Sequence, residues 1–110
     1  MLKGNTLSES EALEMSEYEK TEKLLKAFAD KSRLQILECI RKGVSNPGEI
    51  AKNLNRHRST IEKHLRVLLA SRIVEKVPSL TEGGQLSIRY KIRDKATEAL
   101  SSIQEACGKF

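Results

Sequence analysis

Residues 54–68 read LNRHRSTIEKHLRVL, and this stretch decides the fold. Asn55, Arg56 and His57 interrupt a helical pattern, and apolar residues then return at helical spacing, which predicts a helix over residues 58–72. The helix has one polar side, and its opposite side, which we expect to pack in a core, comprises Ile61, His64, Leu65, Leu68 and Leu69. The polar side is left for a partner, and the inner position of His64 favours a packed histidine over a contact residue.

The residues just before this stretch predict a second, shorter helix. Pro47 is favoured at the first position of a helix, where its missing N–H costs nothing, and Asn46 can cap that helix. Ile50, Ala51 and Leu54 follow at helical spacing, so the helix covers residues 47–54. The result is a short helix, a tight turn and a longer helix.

Beyond residue 72 the apolar period changes from about four residues to two, which is typical of strands. Residues 73–77 are rich in β-branched side chains, and Gly83 and Gly84 supply a turn after them. In the segment that follows, apolar and polar residues alternate: Leu86, Ile88, Tyr90 and Ile92 with Ser87, Arg89, Lys91 and Arg93. This pattern predicts a β-hairpin with one basic face.

Amphipathic patterns predict further helices on both sides of this unit. One covers residues 13–29, one runs from a cap at Asp30 to a stop at Gly43, and the last covers residues 94–107. Residues 44–46 form an optional extended stretch, and residues 1–12 are polar enough for a flexible arm. We therefore predict a single domain over residues 13–108, mainly α with a small β-hairpin, in the element order of a winged helix-turn-helix.

The charge of the chain is concentrated in this unit. The formal net charge is +5, yet between Lys52 and Arg93 ten Lys or Arg side chains stand against only three carboxylates. A one-sided positive field attracts polyanions, so nucleic acid is the favoured partner, although a solvated basic face without a ligand remains the alternative.

Other function classes find little support in the residues. No Ser-His-Asp or Cys-His arrangement, glycine-rich phosphate loop or metal-ligand cluster occurs, so we expect neither an enzyme nor a cofactor. No apolar run approaches the roughly 20 residues of a membrane span, and the first residues lack a secretory pattern, so we expect a cytoplasmic protein without a membrane partner. Cys39 and Cys107 are too few for a disulfide framework, and buried structural cysteine is favoured over a redox role.

The run from residue 54 to residue 68 closely resembles the helix-turn-helix of the ArsR/SmtB family of bacterial and archaeal repressors. The matching positions are Leu54, Ser59, Thr60, Ile61, His64, Leu65, Val67 and Leu68. Upstream, FADKSRLQIL over residues 28–37 is similar to the opening segment of that family. The resemblance covers about residues 24–92, with two departures: His57 stands where the family usually has a serine cap, and Arg72 where it often has glycine.

A helix that enters the major groove of DNA points the side chains of its first two turns at base edges. We therefore predict base contacts from Arg58, Ser59, Thr60, Glu62 and Lys63. Contacts with the DNA backbone, including those from the hairpin, which is called the wing in this fold, are predicted for Lys52, Arg56, His57, Arg66, Arg89, Lys91 and Arg93.

The terminal helices carry narrow apolar seams that suit a two-fold dimer, as the resemblance also implies. The predicted dimer interface consists of Leu24, Leu25, Phe28, Ala96, Leu100, Ile103 and Cys107. Such a homodimer presents two recognition helices about one DNA turn apart, which predicts a pseudo-palindromic operator.

Many ArsR/SmtB repressors release DNA when they bind a metal, but the corresponding positions differ in this chain. Asn46 and Gly48 stand where a cysteine pair would fall, and Ala96 and Cys107 stand where further ligands would follow Asp94. We therefore expect no metal site, and nothing in the sequence supports a metal or small-molecule inducer.

These observations together predict a sequence-specific regulator of transcription that binds double-stranded DNA as a homodimer and acts as a repressor. The alternative is a winged-helix module that binds protein or RNA without sequence-specific DNA binding.

Overall fold

A computed structural model describes residues 8–110 of the chain. It contains five helices and one two-stranded antiparallel sheet within these residues. The elements are α1 (Glu9–Phe28), α2 (Lys31–Arg41), α3 (Pro47–Leu54), α4 (Arg58–Ala70), β1 (Val74–Leu80), β2 (Leu86–Ile92) and α5 (Asp94–Cys107). The predicted class, mainly helical with a small hairpin in the order of a winged helix-turn-helix, is confirmed.

Helix α1 begins four residues earlier than predicted, so residues 9–12 belong to the helix and not to a flexible arm. Ser8 is the N-cap: its Oγ accepts from the backbone N–H of Glu11 at 3.2 Å and donates to the Glu11 carboxylate at 3.0 Å. The Ser-x-x-Glu spacing favours a helix start, and Glu9 and Glu11 suit the positive end of the helix dipole. The first seven residues of the predicted arm lie outside the described residues.

Helix α2 begins and ends where the sequence predicts. Asp30 is its N-cap, and the carboxylate accepts from the backbone N–H of Arg33 at 3.0 Å. This hydrogen bond, reinforced by the positive charge of Arg33, lowers the pKa of the Asp30 carboxyl below its usual range. At the other end of α2, Gly43 takes a φ of 94°, and the N–H of Val44 donates to the backbone carbonyl of Cys39 at 2.9 Å.

Arg33 joins the end of α1 to α2 and α4. Its Nε donates to the carbonyl of Ala27 at 2.6 Å and its Nη2 to that of Lys26 at 3.0 Å, which satisfies two carbonyls in the last turn of α1. Its Nη1 lies 3.7 Å from the Asp30 carboxylate and 3.5 Å from Nδ1 of His64 on α4. With only 15% of its side chain exposed, Arg33 is a structural cation that holds three helices together.

The helix-turn-helix unit forms as the local signals predict. Asn46 caps α3 by accepting from the N–H groups of Gly48 at 2.9 Å and Glu49 at 3.4 Å. Asn55 ends α3 in the left-handed region with a φ of 53°, a conformation that asparagine tolerates better than most residues. The chain therefore turns sharply and starts α4 three residues later.

Helix α4 ends at Ala70, two residues before the predicted end. Arg72 takes a φ of 60°. Its N–H donates to the carbonyl of Leu69 at 3.0 Å, and the N–H of Ile73 donates to the carbonyl of Leu68 at 2.9 Å. This pair of bonds is a Schellman ending with arginine where glycine is usual, so the departure at Arg72 places a side chain in a strained backbone position.

The wing extends further than predicted, because β1 continues to Leu80 beyond the predicted end at residue 77. Its register pairs Val74 with Ile92 and Leu80 with Leu86. Residues 44–46 are not a strand, although the carbonyl of Ser45 accepts one hydrogen bond from Tyr90 N–H at 2.9 Å.

The core lies where α2, α3, α4, α5 and the base of the wing meet. Its seven most deeply buried large side chains come from α2, α3, α4 and the start of the wing: Ile36, Leu37, Ile50, Ile61, Leu65, Leu68 and Ile73. The predicted inner side of α4 is confirmed for Ile61, Leu65 and Leu68, whereas His64 and Leu69 are half-buried. The polar side of α4 faces outward as a consequence.

Replacing Arg33 should destabilise the fold far more than replacing another arginine of the same helix. We expect Arg33→Ala to lower the free energy of unfolding by about 1–3 kcal/mol, because two carbonyls of α1 lose a charged donor. Arg41→Ala is the control, since the one ion pair of Arg41 within the described residues is an exposed pair with Glu38, and its loss should change stability by less than about 0.5 kcal/mol. Urea unfolding followed by circular dichroism measures both variants, and equal effects would contradict the role of Arg33.

Candidate nucleic-acid interface

The first two turns of α4 present the predicted base-contacting residues on one surface. Arg58, Ser59 and Lys63 are exposed, and Thr60 and Glu62 are half-buried. Arg58 Nε lies 3.6 Å from Glu62 Oε1, one helical turn away, so these two side chains form a surface ion pair. The remaining polar groups of this surface are the hydroxyls of Ser59 and Thr60 and the ammonium of Lys63, which can contact base edges.

The start of α4 has no side-chain cap. His57 is the N-cap residue, is exposed, and makes no capping hydrogen bond with its ring. Its carbonyl accepts from the N–H groups of Thr60 at 3.1 Å and Ile61 at 3.2 Å. The expected departure from a serine cap is therefore visible, and the His57 ring points to no partner within the described residues.

Three further residues predicted to contact the DNA backbone lie on the helix-turn-helix. Lys52 on α3 and Arg66 one turn further along α4 are exposed. Arg56, in the turn between α3 and α4, donates from Nη1 to the Ser32 hydroxyl at 2.9 Å. Lys52 and Arg66 thus extend the positive surface on both sides of the turn.

Two of the three basic residues that strand alternation places on one face of the wing form ion pairs. Arg89 Nη1 lies 3.4 Å from Glu49 Oε1 on α3 and 3.3 Å from the Ser45 hydroxyl, so this side chain is held against the body of the protein. Arg93 Nη1 lies 3.4 Å from Glu75 Oε2 on β1. Of the three predicted wing cations, only Lys91 has no ion pair within residues 8–110.

The opposite face of the wing forms a cleft with the start of α4. Cross-strand partners share a face, so the pairing of Lys76 with Tyr90 and of Pro78 with Ile88 places these residues on the side away from Arg89. The cleft, called the wing–helix cleft below, has a volume of about 400 Å³. Its lining residues are Asn46, Pro47, Arg58, Glu62, Lys76, Leu86, Ser87, Ile88 and Tyr90.

Tyr90 lines this cleft, is half-buried, and was not among the predicted site residues. Partial burial raises the pKa of its hydroxyl, and the Glu62 carboxylate raises it further while Arg66 opposes the effect. Lys76 was also missed, although strand alternation would have found it if β1 had been paired with β2 from the sequence.

The predicted dimer interface divides into buried and accessible residues. Phe28, Ala96 and Leu100 are buried within the protomer, and Leu24 is half-buried beside them. Leu25 is 50% exposed, Ile103 is partly exposed and Cys107 is exposed. These three line an apolar groove of about 400 Å³ between α1, α2 and α5, together with Phe28, Ala29, Leu34, Leu100 and Gln104.

Cys39 is a buried residue whose thiol lies 3.5 Å from the side-chain oxygen of Asn53. Burial raises the pKa of this thiol, which disfavours the reactive thiolate. Within residues 8–110 no group of three His, Cys, Asp or Glu side chains is arranged to hold a metal ion. None of the helices in the described part of the chain is long and apolar enough to span a membrane.

Comparisons with known proteins agree with this architecture. Residues 30–76 match the family model described as "Bacterial regulatory protein, arsR family". The fold is similar to the homodimeric winged helix-turn-helix domain of Mb0332 from Mycobacterium bovis, a possible ArsR-family transcriptional regulator, with a TM-score of 0.74, 21% identity and coverage of 96% of this chain and 92% of that chain. It is also similar to NolR from Sinorhizobium fredii, with a TM-score of 0.68, 23% identity and coverage of 94% and 96%.

A more distant similarity is to MepR from S. aureus, solved as a complex with DNA, with a TM-score of 0.53, 18% identity and coverage of 96% of this chain and 81% of that chain. No curated protein matches the sequence. Five helices and an antiparallel hairpin in this order define a winged helix-turn-helix protein. The match over residues 30–76 covers α2, α3, α4 and the start of β1, so this part of the chain is similar to the ArsR-family regulators.

Proposed function

We propose that this protein is a homodimeric, sequence-specific DNA-binding regulator that represses transcription from a pseudo-palindromic operator. The observation that carries the proposal is the outward polar side of α4, where Ser59 and Lys63 are exposed beside a wing. A helix with this composition fits the major groove, and hydroxyl and ammonium groups can bond base edges there. The repressor role rests on the resemblance to ArsR/SmtB repressors.

Charge supports a nucleic acid as the partner. Lys52, Lys63 and Arg66 are exposed around the helix-turn-helix and make no ion pair within the described residues. Positive side chains near DNA phosphates release condensed counterions, and this release supplies much of the affinity. MepR, which has the same general fold, was solved with DNA bound, and this lends further support to the proposal.

The groove between α1, α2 and α5 supports a dimer. It is lined almost entirely by apolar side chains, and Leu25 and Leu34 remain 50% and 39% exposed at its edge. An exposed apolar surface of this kind marks an interaction site, and a second copy of the chain brings the same apolar surface to it. The homodimeric state of the Mb0332 domain is consistent with this arrangement.

Selection from a pool of random duplex DNA tests the sequence specificity. We expect the recovered sequences to share an inverted repeat whose half-sites lie about one helical turn, roughly 10 base pairs, apart, because two α4 helices of a dimer enter successive major grooves. Recovery of a pool without a common sequence would contradict the regulator and favour the module that binds protein or RNA.

Substitution on α4 tests the division between base contacts and backbone contacts. We expect Lys63→Ala to relax the base preference at one position of each half-site, at a cost of about 1–3 kcal/mol for the preferred sequence. Arg66→Ala should weaken binding to all duplexes alike and lower the salt dependence. Fluorescence anisotropy with the selected operator and its point variants measures both, and equal patterns for the two variants would overturn the assignment.

Substitution in the apolar groove tests the dimer. We expect Leu25→Glu to convert a dimer into a monomer, because a carboxylate on each copy would be desolvated in the interface. Val77→Glu introduces the same charge at an exposed apolar position of the wing and should leave the mass unchanged. Sedimentation equilibrium at micromolar concentration gives the mass of each protein. A monomeric wild-type chain, or a dimeric Leu25→Glu variant, would contradict this interface.

A further inference from the structure

The wing–helix cleft combines positive and apolar groups in a way that the predicted contacts leave unused. Arg58 and Lys76 are its two cations, and Leu86 and Ile88 supply apolar surface beside them. Leu86 is 72% exposed and Ile88 38% exposed, so both can contact another molecule. A strand of nucleic acid has the matching composition, because anionic phosphates alternate with sugar rings along it.

Lys76 is the cation of this cleft that is available to a partner. The only carboxylate among the lining residues is Glu62, and it pairs with Arg58 at 3.6 Å. Lys76 is exposed and makes no ion pair within residues 8–110. A phosphate at Lys76 therefore gains an ammonium partner without breaking an existing ion pair.

The two faces of the wing are not equivalent. Lys76 pairs with Tyr90 in the register and lies on the cleft face, whereas Lys91 pairs with Glu75 and lies on the opposite face. Arg89 shares the face of Lys91 and already contacts Glu49 and Ser45. The face that carries more basic residues is thus turned away from the start of α4.

We propose that the wing–helix cleft holds one strand of the DNA backbone, with a phosphate at Lys76 and a deoxyribose against Leu86 and Ile88. This inference rests on the proposed function, because it requires α4 to lie in the major groove. The strand that borders the groove then passes between α4 and the wing. Contacts of this kind fix the register of the protein on the duplex without reading its sequence.

Two lysines of the wing provide a matched test. We expect Lys76→Ala to weaken binding of the full chain to a selected operator and to a random duplex alike, by about tenfold. The slope of log affinity against log salt should become shallower by about 1.8, because the variant dimer loses two phosphate contacts at about 0.9 each. Lys91 lies on the other face, so this inference replaces the backbone contact that the sequence predicted for it. Lys91→Ala removes the same charge from the same hairpin and should keep the wild-type slope. Anisotropy titrations at five salt concentrations measure the slopes, and thermal unfolding checks that both variants fold.

Two leucines test the apolar part of the cleft. Leu86→Ser should weaken binding several-fold at every salt concentration and leave the slope unchanged, because no charge is removed. Leu80 is equally exposed, at 70%, and pairs with Leu86, but it does not line the cleft. Leu80→Ser should therefore bind like the wild type.

The outcomes separate this inference from the proposed function. If the wild type binds DNA and the two lysine variants share one slope, or Lys91→Ala has the lower slope, the cleft assignment is wrong and the regulator stands. If Leu80→Ser weakens binding as much as Leu86→Ser, the sugar contact is wrong. If the wild type binds no duplex at all, the proposed function fails and the cleft assignment fails with it.

Discussion

The burial of one side of α4 is the constraint on which the rest of the structure depends. Leu65 and Leu68 are completely buried and Ile61 nearly so, and removing one such side chain from a core costs about 2–5 kcal/mol. A helix that buries this side must turn Ser59 and Lys63 outward. The same core also positions the wing, because Ile73 is completely buried and its N–H bonds to Leu68 directly before β1 begins. The partner-facing surface and the wing are therefore both consequences of how α4 packs.

The helix-turn-helix could be predicted from the sequence because its signals are local. Asn46 caps the N–H groups of the residues that follow it, Pro47 stands in the first turn, and Asn55 takes the left-handed conformation that ends α3. Each of these interactions involves residues within a few positions of one another, so residue type and spacing were sufficient. The start of α1 was equally local, and the cap at Ser8 was missed only because a polar segment was interpreted as an arm.

The wing and the terminal helices show where local patterns stop being informative. Alternation predicts which residues share a face but not which face meets α4, so Arg89 was expected at the DNA although Glu49, forty residues earlier, holds it. A helical apolar seam likewise predicts that its residues are buried. It does not tell whether they pack in the core of the same protomer or against a second copy of the chain. Phe28 and Leu100 fill the protomer core, whereas Leu25, from the same α1 stripe, remains half-exposed. Both distinctions depend on contacts between residues far apart in the sequence, which composition and spacing do not encode.

Several arginines of the helix-turn-helix and wing form ion pairs, so the net charge alone does not give the number of cations that bind DNA phosphates. Arg58, Arg89 and Arg93 each lie within 3.6 Å of a glutamate, and exposed pairs of this kind contribute at most about 1 kcal/mol. A DNA phosphate can replace such a glutamate, but the carboxylate that is left behind then repels the same phosphate. The number of counterions released on binding should therefore depend more on the cations that have no ion pair in the described part of the chain than on the total number of cations. Around α4 and on the cleft face of the wing these include Lys52, Lys63, Arg66 and Lys76. The local excess of positive charge attracts DNA from a distance, while the residues without acidic neighbours determine how strongly the bound complex responds to salt.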